Sequence, residues 1–142
     1  MGATWMLKSE PGTYSFDDLV RDKKTAWTGV RNYTARIHLK AMKKGDRCFI
    51  YHSGGPKEVV GIAEVVKEHY PDATVTDPDE IAKGWVAVDI QAVAKLPRAV
   101  TLAELKKHKT LSQMQLVKLS RLSVSPVSAA EAKALLALAG GA

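Results

Sequence analysis

The segment WVAVDIQAVAKL, residues 85–96, carries the clearest alternation in the chain. Val86, Val88, Ile90, Ala92, Ala94 and Leu96 form one wholly apolar set at period two, while Asp89, Gln91 and Lys95 fall on the other side. Successive side chains of a strand point to opposite faces, so this pattern predicts a half-buried β-strand. Three further segments read as strands. They are residues 4–8, residues 47–52, which are apolar on both faces and therefore predicted to be buried, and residues 59–68. Residues 123–127 are a candidate fifth strand. Pro126 there has no N–H to donate, which suits an edge or a strand end.

Helix starts are marked by capping chemistry. Ser15, Thr101 and Ser128 each precede an acid by three residues, namely Asp18, Glu104 and Glu131. The hydroxyl accepts from an orphan N–H and the acid reaches back, fully so in the two Glu cases and more loosely with Asp. Another helix is predicted over residues 33–42, with Asn32 as its cap. Ala35, Leu39 and Met42 share one face, and Arg36, Lys40, Lys43 and Lys44 lie on the others. The last helix has Ala132, Leu135, Leu136 and Ala139 on one stripe, ends at Gly140, and leaves a frayed tail at residues 140–142. YPDATVTDPDEIAKG, residues 70–84, is polar with two prolines and reads as one long surface loop. Strands and short helices do not alternate regularly. That argues for an α+β fold, a curved or closed, mostly antiparallel sheet with helices packed at its ends.

Composition bounds the function. The 142 residues suit one domain, 46% of them hydrophobic and 25% charged. No apolar run reaches the ~18 residues that span a bilayer, and the first residues lack the pattern of a secretion signal, so a cytoplasmic location without a membrane partner is expected. Cys48, the one cysteine, sits in an apolar run and reads as a small buried hydrophobe. His38, His52, His69 and His108 have no metal-ligand spacing, and neither glycine-rich nucleotide fingerprint occurs, so no metal or cofactor is predicted. The net charge of +6 favours an anionic partner, of which nucleic acid is the commonest.

The aromatic residues sharpen this. Trp27 precedes a loop with Gly29, Arg31 and Asn32. It is either a plug for the core or a platform for a stacked base. Arg31 and Asn32 would add a charged donor and an amide, although Asn32 could equally serve only as a helix cap. Trp5 reads as core. Lys8, Ser9 and Glu10 lie where Pro11 forbids a central strand to continue. Arg121, between Ser120 and Ser123, is either a phosphate contact or a surface arginine. His52 and Ser53 are poor as a catalytic pair, because neighbours on a strand face opposite ways. A hydrolase acting on a nucleotide-like molecule would have to use His52 or Glu10 as its acid or base.

WMLKSEP at the start, AWTGVRNYTAR, FIYHS, VGIAEVVKEHYPD and SRLSVSPVS follow one another along nearly the whole chain. Together they resemble the EVE domain. The resemblance implies a PUA-like β-barrel, related to YTH and ASCH domains, that reads modified bases in DNA or RNA without being an enzyme. Methylated cytosine or methylated adenine are the ligands it suggests. It places Lys8 and Ser9 at the mouth of a pocket and makes Trp27 a wall with Arg31 and Asn32 beside it. Tyr51, His52 and Ser53 go to the floor or rim, and Arg121, Leu122 and Ser123 are added from the last motif. Arg36 and Lys40, with Arg31 and Arg121, would hold phosphates. A separate effector protein and a monomer or weak dimer complete the expectation. Two motifs depart from the family's usual form. Thr34 and Ile37 replace amides in RNYQARN, and Ile50 replaces the second Phe of FFYHS.

Overall fold

The computed structural model describes residues 2–140. Six strands form one sheet: β1 (Thr4–Ser9), β2 (Lys24–Trp27), β3 (Arg47–His52), β4 (Glu58–Pro71), β5 (Val86–Thr101) and β6 (Val124–Val127). Their order is β2-β5-β4-β3-β1-β6. β1 and β3 run parallel, and the other four pairings are antiparallel. The helices are α1 (Phe16–Asp22), α2 (Tyr33–Ala41), α3 (Pro78–Ile81), α4 (Leu102–Lys107), α5 (Gln115–Lys118) and α6 (Ala129–Leu138). None among the described residues is long and apolar enough to cross a membrane.

The α+β class is as expected, but the sheet is not closed into a barrel. Its two edges, β2 and β6, are four residues each and do not pair. Helix α2 packs against β4, β5 and β6 and puts Ala35 and Leu39, with the following Met42, into the core. A helix therefore fills the space that a closing ladder would occupy. Alternation then gives the sheet two buried faces. Trp5, Leu7, Cys48, Ile50, Val88 and Ile90 pack with α1 and α2. Met6, Phe49, Tyr51, Val59, Leu96 and Val100 pack with Leu105, Leu111, Leu116 and Leu135 from the later helices.

Residues 70–84 are not one surface loop. Tyr70 and Pro71 still pair with Ala87 and Val86, Asp72 is buried, and Asp77 caps α3. The strand read at residues 85–96 runs on to Thr101, with the register against β4 broken around Pro97, which has no ladder donor. Strand β2, which ends at Trp27, carries no apolar pattern, and no alternation marks it in the sequence. Of the tail, residues 141 and 142 lie outside the described residues. Gly140, at φ 78°, follows the end of α6.

Two close fits hold the sheet, one against α1 and one at the end opposite Ser9 and His52. A Cβ at Gly61 would run into the Phe16 ring, so α1 rests directly on β4. The carboxylate of Asp46, itself buried, accepts from the N–H of Ala3 (3.1 Å), Trp5 Nε1 (3.0 Å) and the N–H of Lys43 (2.9 Å). Capping is complete at α1. Ser15 Oγ accepts from Asp18 N–H, Asp18 accepts from Ser15 N–H, and His52 Nε2 accepts from Phe16 N–H at 3.0 Å.

That last bond requires a neutral imidazole. Burial holds the His52 pKa below the ordinary histidine value, against the opposing pull of Glu58, Asp17 and Glu10. Below about pH 6.5 the unfolded chain takes up a proton more readily than the folded one, so stability falls as pH drops from there toward the folded pKa. In His52→Gln the amide oxygen can accept from Phe16 N–H without titrating. Thermal melts from pH 7.5 to 5 should show a smaller loss of Tm in this variant than in the wild type. Parallel curves would refute the capping role.

Candidate nucleobase site

Parallel pairing brings the C-terminal ends of β1 and β3 to one end of the sheet, with Ser9 beside His52. Ser53 N–H donates to Ser9 C=O at 2.9 Å, and Lys8 N–H donates to Ser123 C=O at 3.0 Å. Three of the quoted motifs thus meet where β1 leaves the sheet. A cavity of about 460 Å3 opens there, walled by Trp27 and Tyr14, with Lys8, Ser9, Arg31 and Ser123 around it. Ligand pockets run from about 300 to 1,000 Å3, so the space suits a small planar ligand.

Trp27 is both plug and wall. It is 9% exposed and packs in the core with Val30 and Val88, and its remaining surface faces the cavity. Tyr14 stands edge-on to it, with ring centroids 6.4 Å apart at 79°. Tyr14 Oη donates to Asp22 at 2.9 Å, and its carbonyl accepts from Ser9 Oγ. Ser9 has therefore already used its hydroxyl proton. Toward a ligand it can act as an acceptor.

The loop after Trp27 is held by a carboxylate that the sequence reading left in a surface loop. Asp72 Oδ2 accepts from Gly29 N–H (2.9 Å) and Arg31 Nη1 (3.1 Å), and Oδ1 accepts from Thr74 N–H (2.8 Å) and Thr74 Oγ1 (2.6 Å). Its side chain is 0% exposed and that of Arg31 is 35% exposed. Burial alone would raise the Asp72 pKa. The bonds from Thr74, Gly29 and Arg31 outweigh it and hold the carboxyl below its ordinary value. Gly29, at φ 82°, occupies a conformation that side chains other than glycine rarely adopt. Among the described residues only Nη1 of Arg31 is engaged, which leaves the rest of its donor fork for a ligand.

Other proposed residues lie elsewhere. Asn32 accepts from Ala35 N–H at 2.9 Å as the cap of α2, and it lines a shallow separate cleft with Arg121 and Leu122. His52 is turned to α1. Tyr51 is buried on the opposite sheet face and, with Ser53, borders a different hollow. Arg36 donates to the Lys83 carbonyl, and its guanidinium lies 4.9 Å from the ring centroid of Tyr33, which stacks on Trp85. Lys40 borders a third cavity, with His69 and Trp85. The sequence reading missed Thr13, Tyr14, Thr25 and Asp72. Tyr14 stands next to the capping Ser15 and Asp72 closes a quoted motif, but neither position carried a chemical signal of its own.

The EVE domain family model matches residues 3–138. Human thymocyte nuclear protein 1 is 36% identical over 97% of this chain and 74% of its own length. Its structure in complex with 5-methylcytosine-containing DNA superposes with a TM-score of 0.87, at 34% identity, covering 99% of both chains. A protein of Rhodopseudomonas palustris, solved by NMR, is 47% identical with a TM-score of 0.88, covering 97% of this chain and 93% of that one. The YTH domain of the Zygosaccharomyces rouxii MRB1 protein shares the fold at a TM-score of 0.57 and 18% identity, covering 96% of this chain and 86% of that one. With motifs, fold and family model in agreement over nearly its whole length, the chain belongs to the EVE domain family.

Proposed function

We propose that this chain reads a modified base in nucleic acid, taking one displaced nucleobase into the cavity beside Trp27. The observation that carries the reading is that cavity: about 460 Å3, with two aromatic rings in its wall and Arg31 fixed at its edge by a buried carboxylate. A related protein, human thymocyte nuclear protein 1, was solved with 5-methylcytosine-containing DNA, which supports the same ligand class. The net charge of +6 agrees with a polyanionic partner.

A base cannot enter while it is stacked in a duplex. It comes from a single strand or is extruded, at a cost of a few kcal/mol. Stacking on an aromatic face offsets about 1–3 kcal/mol of this. Trp27 presents that face with Tyr14 standing across its edge, Arg31 donates toward the base edge or its neighbouring phosphate, and Ser9 accepts from an exocyclic amino group. The ligand groove needs little rearrangement, because Asp72 already holds the loop from Gly29 to Arg31. Of the two acid–base candidates, His52 has its Nε2 engaged with α1, while Glu10 borders the cavity; the scheme of stacking and hydrogen bonding uses neither.

Because Trp27 is also core, truncating it to alanine would lower stability by about 3–5 kcal/mol and confuse the test. Trp27→Leu keeps an apolar filler and removes the π-face. Titration of a fluorescent oligonucleotide carrying one 5-methylcytosine should show about five- to hundredfold weaker binding, with the circular dichroism spectrum retained. Equal affinity would reject the platform. Asp72→Asn loses the charge that gathers four donors from three residues, and stability should drop by about 1.5–3 kcal/mol in urea unfolding. The Gly29 amide should also exchange with solvent much faster. Unchanged protection at Gly29 would show that the loop is held by something else.

A further inference from the structure

The face of the sheet opposite Trp27 carries a second hollow at the same strand end, of about 200 Å3. Three lysines border it: Lys8 at the exit of β1, Lys57 in the turn before β4 and Lys106 on α4. Each is placed by a different local device. Lys8 Nζ donates to the Ser120 carbonyl and lies 6.0 Å from the Tyr51 ring centroid. The Lys57 carbonyl accepts from Leu102 N–H at 2.9 Å, which ties that turn to the first residue of α4. Lys106 is four residues after Leu102, so the two share a helix face and both border the hollow.

No carboxylate lines this space, and among the described residues none of the three lysines is in an ion pair. Ser53 and Ser120 add polar groups at the rim, and the sides are Leu102, Leu116 and Val117. Like charges gathered over apolar walls repel one another in the absence of an anion, and the low-dielectric surroundings strengthen their pull on one. Burial, and then the charge of Lys57, lower the Lys8 pKa, as this crowding requires. Lys8 borders both this hollow and the Trp27 cavity.

We infer that the hollow between Lys8, Lys57 and Lys106 is a phosphate site, and that it takes the backbone phosphodiester next to the base held beside Trp27. The inference rests on the base-reading function proposed above. It adds that the strand passes from one sheet face to the other across the end of β1, with Lys8 at the crossing. A phosphodiester and free phosphate share this chemistry, and the experiment separates them.

Lys57 and Lys106 are exposed and lie outside the base cavity, so K57Q/K106Q should fold as the wild type does. A single-stranded oligonucleotide with one 5-methylcytosine is titrated into both proteins between 50 and 200 mM salt. The double variant should bind about tenfold more weakly at 0.1 M salt, and its log–log salt slope should be shallower by about 1.4, the share of two contacts to a single strand. The nucleoside 5-methylcytidine, which has no phosphate, should shift the Trp27 indole NMR signal equally in both proteins. Equal strand affinity and slope in the two proteins would overturn the phosphate site while leaving the base reading intact. Inorganic phosphate that shifts the Lys57 and Lys106 signals without any effect of the variant on strand binding would mark a site for the free ion and overturn the backbone assignment. No strand binding by the wild type would overturn both readings.

Discussion

A buried carboxylate sets the geometry of the candidate site. Asp72 has no exposed side-chain surface, yet it collects donors from Gly29, Arg31 and Thr74. An ionised carboxylate taken out of water is tolerated only when its acceptor sites are filled, so the charge dictates where those donors sit. One donor is the backbone of a left-handed glycine, and another is a guanidinium at the cavity edge. The loop that follows Trp27 therefore has little freedom, and the indole and Arg31 keep a fixed separation before any ligand arrives. Such pre-organisation lowers the ordering cost of binding.

Strand direction supplies the other half of the arrangement. Had β1 and β3 been antiparallel, their C-terminal ends would lie at opposite ends of the sheet. Their parallel pairing instead sets Ser9 beside His52 and lets Ser53 bond back to Ser9. Asp46 anchors the far end of the same pair through Ala3 and Trp5. The two buried carboxylates thus act at different places, one registering β1 against β3 and the other holding the loop beyond β2. The exit of β1 lies between the two sheet faces, which is why Lys8 can border a hollow on each.

What the sequence revealed follows from how local each signal was. The three hydroxyl–acid caps and Asn32 are contained within four residues, and each forms in the structure. The alternation over residues 85–96 located β5, although Ala94 is exposed and Ala87 is buried, because neighbours on both faces decide burial. Strand β2 escaped notice because Lys-Thr-Ala-Trp has no pattern of its own and exists through its pairing with β5. Asp72 escaped because its partners are more than forty residues away, at Gly29 and Arg31. The grouping of Tyr51, His52 and Ser53 in one pocket came from the resemblance. Strand alternation separates them, sending Tyr51 to one face and His52 to the other.

The same geometry bounds how selective a reader this wall can be. A methyl group fully buried on a base is worth about 0.8 kcal/mol, roughly a fourfold preference. A larger preference needs rings on several sides of the methyl group. Here Tyr14 meets Trp27 edge to face, at 79°, so the two rings form a corner and do not enclose a methyl group. On the proposed reading, overall affinity comes chiefly from stacking and from the lysines and arginine around the strand end, which are indifferent to methylation. Discrimination between bases falls to the fixed polar groups, Ser9 as an acceptor and Arg31 as a donor, because a mismatched edge would leave them unpaired as water is displaced. In this reading, base identity is selected more strongly than the modification itself.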